Sequence, residues 1–376
     1  MSSSLVERPV HLTVREALSL IRQFLPQEWS QVREQHVNIL RSQSGISNQV
    51  YFVKHYVITD PHKEPNVLVI RMYNDFQDDP LGLWTAFAAM CASQTQQALI
   101  QMQLSRHSLS PKLYGVFPGG RIEEFIDCRS MEHADAILPE VEHEIAQIFA
   151  RFHSLELPFP KPAYDFMQVL RDLHADLLPL ADKFDRLEDE ALMLVARHDY
   201  TPLLDWLQPL MRHSRMVFMH WDPHMGNMSI RQRNDSDSRV VVFDFEAASY
   251  NMRGKDLGLF LLSRSGYHPH VRPDRRLESN EQFFPFLQAY RCACQHEDKE
   301  ETGRDSLEHL MLESLVGGIV SFLIYIFFQL KVMALRRDGD PVLQKYDQHT
   351  TVWFEAVMEC VTAAKQRFPN LCGIPQ

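Results

Sequence analysis

The chain has 376 residues, of which 45% are hydrophobic and 23% are charged. This composition is typical of a globular protein, and the length suffices for one two-lobed domain or two smaller ones. The formal net charge of -11 argues against a general nucleic-acid binder, because phosphate contacts need clustered lysine and arginine. The six cysteines are too few and too scattered for a disulfide framework, and Glu7, Arg8 and Arg15 interrupt any signal-peptide core. We therefore expect a reducing, cytoplasmic setting.

The first part of the chain predicts strands and one helix. Apolar runs at 48–58 and 66–73 predict β-strands on either side of a turn-like segment. A stretch without proline or glycine from about Leu83 to Arg106 predicts a helix. The segment 112–126 predicts a β-hairpin, because two apolar runs flank a Pro-Gly-Gly turn.

Past Asp127, long helical patterns dominate. Apolar residues at helical spacing predict a helix over 138–155, and such patterns resume from about Gln282 to the end. Two short runs, 215–219 and 239–245, interrupt them and predict strands. The sequence thus predicts an α+β, two-lobed fold: a small β-rich N-terminal lobe, residues 1–126, and a larger, mainly helical C-terminal lobe, residues 127–376.

One apolar segment raises the question of a membrane span. Ser314 to Leu330 runs 17 residues without a charge, at the short limit of a transmembrane helix. Gly317, Gly318, Ser321 and Gln329 lie within it. We expect a buried core helix and no membrane span.

The segment "HWDPHMGN" (220–227) allows two chemical interpretations. His220 and His224 have the spacing of two metal ligands on a helix, but Pro223 between them disfavours a helix. The pattern H-x-D-x-x-x-x-N instead fits a phosphoryl-transfer loop. In that interpretation Asp222 accepts a proton from the attacking hydroxyl, while Asn227 and Asp244, the latter at the end of an apolar strand, bind Mg²⁺.

The N-terminal lobe contains two candidates for phosphate binding. The small-residue loop Ser44, Gly45, Ile46, Ser47 and Asn48 opens a strand and can direct backbone N–H groups at an anion. Arg71 lies inside an apolar strand, where a buried cation needs an anion such as a nucleotide phosphate. The alternative for Arg71, an edge-strand residue that faces solvent, stays open.

Four blocks of the sequence resemble the choline/ethanolamine kinase family, which has a protein-kinase-like fold. They are "SGISN" (44–48), "SPKLYGVFPGGRIEEFI" (110–126), "HWDPHMGN" (220–227) and "VVVFDFEAASYNMRGKDLG" (240–258). The resemblance implies ATP-dependent phosphorylation of a small amino alcohol, choline or ethanolamine, on the route to phospholipids. The aromatic residues and the absence of carboxylates between Ser314 and Leu330 place choline narrowly ahead of ethanolamine. ATP and Mg²⁺ are the implied cofactors, and a homodimer is the implied assembly.

The resemblance also assigns site residues. Asp222 would be the base, Arg71 a further catalytic cation, and Asn227, Asp244 and Glu246 the metal site. The nucleotide contacts would include His224 and Asp244 besides Arg71 and the Ser44–Asn48 loop. The adenine side would be lined by Gly119, Gly120, Arg121, Ile122, Glu123, Glu124 and Phe125. The candidate acceptor contacts are Asp222, Tyr250, Phe322 and Tyr325, with Tyr346 and Trp353 as further candidates.

The chain also departs from the family pattern. No Asp or Glu occurs from Pro80 to Ile122, and Gln97 falls where the family places a helix Glu that pairs with the strand cation. Trp221 and Pro223 also differ from the common catalytic loop. A divergent enzyme is therefore expected. Two alternatives stay open: a kinase of another hydroxylated acceptor, such as an aminoglycoside or a sugar, and a catalytically weak binding partner.

Overall fold

The structure is a computed structural model that describes residues 12–42, 48–57, 60, 63–73, 90–187, 189–232, 238–267, 280–294, 303–335 and 347–372. The predicted phosphate-loop residues Ser44, Gly45, Ile46 and Ser47, and the candidate Tyr346, lie outside these ranges. The chain divides into two compact units. The first takes its described residues from 1–79, 92–128 and 231–233, and the second from 80–91, 129–230 and 234–376.

The first unit is built on a five-stranded antiparallel sheet with the order β1-β2-β3-β5-β4. Its strands are β1 (Val37–Arg41), β2 (Asn48–His55), β3 (Val67–Tyr73), β4 (Leu113–Phe117) and β5 (Gly120–Glu124). The two predicted strands and the predicted hairpin are therefore present. Buried side chains from these strands share one core, which includes Val53 of β2, Ile70 of β3 and Ile122 of β5.

Two helices accompany this sheet, α1 (Val14–Phe24) and α2 (Gln94–Arg106). Helix α1 was not predicted, although Thr13 and Glu16 form a capping box at its start. The helix buries Ala17, Leu18 and Ile21 in the core of the unit. The predicted helix from Leu83 is confirmed only over α2, which begins after the cap residue Ser93.

The second unit is mainly helical, as predicted. Its helices are α3 (His133–Ala136), α4 (Pro139–His153), α5 (Phe166–Leu177), α6 (Glu190–Ala196), α7 (Thr201–Met211), α8 (Arg253–Leu262), α9 (Phe284–Ala293), α10 (Leu307–Leu335), α11 (Asp347–Arg367) and α12 (Pro369–Cys372). Five short strands lie among them: β6 (Cys128–Ser130), β7 (Met216–Met219), β8 (Met228–Arg231), β9 (Val240–Val242) and β10 (Ser249–Met252). β7 pairs with β10, and β8 lies between β6 and β9.

Helix α10 contains the apolar segment that raised the question of a membrane span. It is long and apolar enough to cross a bilayer, but 94% of its most apolar 18-residue window is buried in the protein. Its backbone packs directly on α8: a Cβ atom on Gly317 would lie 1.9 Å from the carbonyl oxygen of Gly254. The placement agrees with the expected core helix.

Candidate active site

The segment 220–227 forms a loop between β7 and β8 rather than a helix. The ring of His220 is buried, and its Nε2 lies 2.8 Å from the carbonyl oxygen of Phe243. Its Nδ1 accepts a hydrogen bond of 3.3 Å from the backbone N–H of Asp222. Because both ring nitrogens are engaged by the backbone, the alternative of a helical metal pair is wrong.

Asp256 in the first turn of α8 holds this loop. Its carboxylate accepts the backbone N–H groups of His220 at 2.7 Å and of Trp221 at 2.9 Å. His153 of α4 adds a ring nitrogen 3.2 Å from the same carboxylate. Burial alone would raise the pKa of Asp256, but His153, His220 and Lys255 hold it below its usual value. Asp256 lies in the family-like block 240–258, but the sequence alone indicated no role for it.

Asp222 has polar side-chain partners, two at its carboxylate and one at its backbone carbonyl. The Tyr325 hydroxyl donates to Oδ1, and His224 Nε2 lies 3.5 Å from Oδ2. Asn227 Nδ2 donates at 2.9 Å to the Asp222 carbonyl oxygen. Burial lowers the pKa of His224 against the attraction of Asp222 and Asp244, and its Nδ1 accepts the N–H of Gly226. The neutral imidazole can therefore direct an N–H at Asp222.

A short hairpin brings Asn227 and Asp244 together. β8 and β9 pair with Met228 opposite Val242, and the N–H of Phe243 donates at 2.9 Å to the Asn227 carbonyl oxygen. Asp244 follows directly, with a left-handed φ of 67° that a non-glycine residue adopts only where its surroundings impose it. Asn227 and Asp244, which are 17 residues apart in the sequence, therefore lie at neighbouring positions of the hairpin.

The residues present suit a divalent cation. The Asn227 amide group donates to Asp222, which leaves its amide oxygen for a cation. Burial raises the pKa of the Cys91 thiol, and the charges of Glu246, Asp244 and Asp222 raise it further, so all three carboxylates act on the surroundings of this thiol. Within the described ranges, no cluster of three His, Cys, Asp or Glu side chains forms a ready metal centre. Mg²⁺ commonly completes such a shell with phosphate oxygens and water.

The candidate acceptor residues differ in their surroundings. The rings of Tyr325 and Trp353 lie 5.3 Å apart, and that of Phe322 lies 6.0 Å from Tyr325, so the three form one aromatic cluster beside Asp222. Tyr250 has a buried hydroxyl that accepts the N–H of Leu157 at 2.6 Å and donates to a backbone carbonyl. This hydroxyl is engaged by the backbone, and the contact of Tyr250 with the acceptor stays a prediction.

In the first unit, Arg71 pairs with a carboxylate that the sequence analysis placed on the adenine side. Arg71 Nε lies 3.6 Å from Glu123 Oε2, and Arg121 donates to the other oxygen of Glu123. Burial alone would raise the pKa of Glu123, but Arg121 and Arg71 hold it below its usual value. The Arg71 side chain is 14% exposed on an inner strand of the sheet, so the alternative of a solvent-facing edge residue is wrong.

Gln97, where the family places its helix glutamate, does not serve this cation. Its amide group donates to the carbonyl oxygen of Ala92 at 2.8 Å. Its amide oxygen is buried and accepts no hydrogen bond from the part of the chain that the structure describes. The charge of Arg71 is therefore balanced from the neighbouring strand β5 rather than from α2.

The remaining candidates for the nucleotide lie on or after the β4–β5 hairpin, except Asn48, which opens β2. Gly119 has a φ of 86° at the turn, and a Cβ atom on Gly120 would lie 2.5 Å from the Arg71 carbonyl oxygen. Ile122 is fully buried, the Glu124 carboxylate accepts the N–H of Lys112, and Phe125 is 38% exposed. Their contacts with a nucleotide stay predictions.

Known proteins resemble the chain in sequence and fold. The family model described as "Choline/ethanolamine kinase" matches residues 39–368. Choline kinase alpha of Mus musculus is 29% identical over 267 residues, 67% of this chain and 58% of the relative. A choline/ethanolamine kinase of Rattus norvegicus is 29% identical over 256 residues, 65% of this chain and 59% of the relative. The chain thus matches less than two thirds of the length of these relatives.

Solved structures extend the similarity to most of the chain. A choline kinase from Cryptosporidium parvum superposes with a TM-score of 0.68 at 16% identity, covering 96% of this chain and 99% of the other. An ethanolamine kinase from Plasmodium vivax gives 0.61 at 18% identity, covering 95% and 92%. At these identities the structures establish the fold, which agrees with the predicted protein-kinase-like α+β class.

Proposed function

Because the chain belongs to the choline/ethanolamine kinase family, we propose that it transfers the γ-phosphoryl group of ATP to choline or ethanolamine. The observation that carries this proposal is the grouping of Asp222, Asn227 and Asp244 by one loop and one hairpin. These are the residue types and the spacing that phosphoryl transfer requires.

Asp222 would act as the base. The acceptor hydroxyl oxygen attacks the γ-phosphorus, the bond to the β–γ bridging oxygen breaks, and ADP leaves. The hydroxyl proton passes to the Asp222 carboxylate, whose Oδ1 is fixed by Tyr325. Asn227 and Asp244 would hold Mg²⁺, with Glu246 nearby, and a bound Mg²⁺ supplies positive charge that offsets the charge of the phosphates.

Arg71 is the proposed phosphate-binding cation of the first unit. An arginine fixed by a buried carboxylate presents its remaining N–H donors in a defined direction, which suits a phosphate. Glu123 provides that carboxylate, so its proposed role is to orient Arg71.

Tyr325 is the proposed contact for the acceptor. Its hydroxyl reaches the base while its ring belongs to the aromatic cluster with Trp353 and Phe322. Phe322 is fully buried and would support Tyr325 from behind. Ring faces attract a quaternary ammonium by about 2 kcal/mol per desolvated contact, so we propose choline ahead of ethanolamine.

We propose a reducing compartment such as the cytoplasm from the state of the cysteines. The five cysteines whose side chains are described are free, as expected in a reducing compartment such as the cytoplasm. The homodimer stays a prediction.

The test is an acceptor panel with purified protein, ATP and Mg²⁺, repeated with Asp222→Ala. Choline or ethanolamine should be phosphorylated, EDTA should abolish turnover, and Asp222→Ala should lower kcat about 10²- to 10⁴-fold. Nucleotide binding, followed by thermal shift, should survive in the variant. Turnover that persists in Asp222→Ala would refute the proposed base. Preference for an aminoglycoside or a sugar would establish the other acceptor class, and nucleotide binding without turnover would indicate a binding partner.

A further inference from the structure

A lysine lies buried beneath the catalytic loop. Lys255, in the first turn of α8, is 0% exposed, and a lysine is almost never fully buried unless it is paired. Its ammonium donates to the carbonyl oxygen of Trp221 and lies 3.8 Å from the centroid of the Trp221 ring. A second ring, that of Phe166, lies 5.8 Å away. The ammonium therefore contacts the residue that directly precedes Asp222.

The conformation of Trp221 explains why such a contact is needed. Trp221 has a φ of 83°, which a bulky L-residue adopts only when its surroundings impose it. Two consecutive residues of α8 impose it here. Asp256 accepts the Trp221 N–H at 2.9 Å, and Lys255 donates to the Trp221 carbonyl. The backbone direction at Asp222 thus depends on this pair.

The charges around Lys255 favour its protonated form, whereas burial opposes it. The negative groups that face it are Asp222 from the loop and Asp256 from its own helix. The charge of Lys255 also acts on His224. Asp256 interacts in addition with His220, with His153 of α4 and with Tyr164 before α5. Glu313, the buried carboxylate of α10, is paired with Arg253 instead. Burial lowers the pKa of Lys255 to about 8, against the attraction of the two aspartates.

We propose that Lys255 is a positioning residue for phosphoryl transfer, whose ammonium must stay protonated to hold Trp221 and thereby orient Asp222. This inference rests on the proposed function for its catalytic consequence. The ammonium contacts the backbone and not the reacting atoms, so Lys255 supplies geometry and charge rather than a proton. The alternative is a lysine that only fills the core, for which an apolar residue of similar length would substitute.

The kinetic test compares Lys255→Met and Lys255→Arg with the parent enzyme from pH 6.5 to pH 9.5. In the parent, kcat should fall as the pH rises through about 8 and the ammonium loses its proton. Lys255→Met should lower kcat about 100-fold, as expected for a small misplacement of a catalytic group, and should lack this alkaline decline. Lys255→Arg, which stays charged, should recover activity and carry the decline to higher pH.

A second measurement does not depend on the acceptor. Because the ammonium lies over the indole of Trp221, its deprotonation should change the tryptophan emission with a midpoint near pH 8. The change should be absent from Lys255→Met and from Trp221→Phe, which retains the other four of the five tryptophans. If no acceptor is phosphorylated while this titration is present, the proposed function fails and the contact stands.

Three results would overturn the inference. One is a Lys255→Met enzyme whose kcat and pH profile match those of the parent. Another is an emission titration that persists in Lys255→Met, since the charge over Trp221 would then belong to another group. A Lys255→Met enzyme that is slow but keeps the alkaline decline would also refute it, because Lys255 would then be only a core residue.

Discussion

At the scale of single residues, the pairing of Arg71 shows how a cation can be retained when its usual partner is replaced. Gln97 cannot supply a charge, and its amide is turned to the backbone of Ala92. Glu123 instead lies one strand away and serves both Arg71 and Arg121. On β5, residues 121 and 123 point to the same face, and Arg71 lies directly opposite Arg121. The sheet register therefore brings Arg71, Arg121 and Glu123 together.

We expect Glu123→Gln to weaken both folding and nucleotide use. Removing one partner of a buried ion pair costs about 3–5 kcal/mol, and here two arginines lose their carboxylate. The free energy of unfolding should fall by about that amount, and KM for ATP should rise roughly tenfold as Arg71 loses its orientation. Denaturant unfolding and steady-state kinetics measure the two effects.

Glu124→Gln is the matched control for this change. The Glu124 carboxylate accepts the backbone N–H of Lys112, and a glutamine oxygen can do the same. The control should therefore lose less than about 1 kcal/mol, the size of one ordinary hydrogen bond. A loss of stability in Glu124→Gln as large as that in Glu123→Gln would contradict the assigned role of Glu123.

The candidate site could be predicted from the sequence only where spacing along the chain decides it. The distance from Asp222 to Asn227 is local, and the apolar run before Asp244 indicated the strand end. Asp256 and Lys255 were missed as site residues because their contacts with the loop join residues about 35 positions apart. The motif that contains Tyr250 likewise says nothing of the backbone groups that its hydroxyl meets.

At the scale of elements, the apolar strands β7 and β9 were predicted although they are short, whereas β8 and β10 were not. β8 and β10 have four residues each, too few for a period to be visible, and they form strands because a partner lies beside them. α1 was missed although Thr13 and Glu16 carry a recognisable capping box.

The contact between α8 and α10 positions both Lys255 and Tyr325, and glycines make it. A Cβ atom on Gly317 would lie within 2.0 Å of backbone atoms of Gly254. At Gly318 the first atom met is a methyl group of Leu262, at 2.5 Å, which can rotate away. The two neighbouring glycines thus differ in what an added methyl group would displace.

We expect Gly317→Ala to lower the free energy of unfolding by about 3 kcal/mol or more, because backbone cannot yield as a side chain can. Gly318→Ala should be near neutral, since the gain of about 1 kcal/mol in helix propensity offsets a small rearrangement. Thermal or denaturant unfolding of the two variants decides the matter. Similar stabilities would show that the helices are not in backbone contact at Gly317.

At the scale of the whole molecule, both units contain buried carboxylates that depend on cations. Glu123 serves this purpose in the first unit, and Asp256 and Glu313 in the second. Glu313 accepts from Arg253 at 2.5 Å and from the Ser214 hydroxyl at 2.8 Å. Burial alone would raise the pKa of Glu313, but Arg253 and His309 hold it below its usual value. Such pairs make the free energy of unfolding depend on pH.

The sign of that dependence follows from the direction of the shifts. A carboxyl group whose pKa is lower in the folded than in the unfolded state contributes stability above its unfolded pKa of about 4.3 and loses it in more acidic solution. We therefore expect the contribution of these carboxyl groups to the free energy of unfolding to be nearly constant from pH 7 to pH 5 and to fall steeply below about pH 4.5. Glu313→Gln should be about 3–5 kcal/mol less stable at pH 7, because Arg253 would stay buried beside an uncharged amide, and the difference should shrink as the parent protein becomes protonated.

Glu308→Gln, which removes a partly exposed pair with Arg367, should change stability by less than about 1 kcal/mol. Denaturant titrations at several pH values measure these differences. A constant gap between Glu313→Gln and the parent down to pH 3 would mean that Glu313 is already protonated in the native protein, and the buried pair would then contribute no charge to the fold.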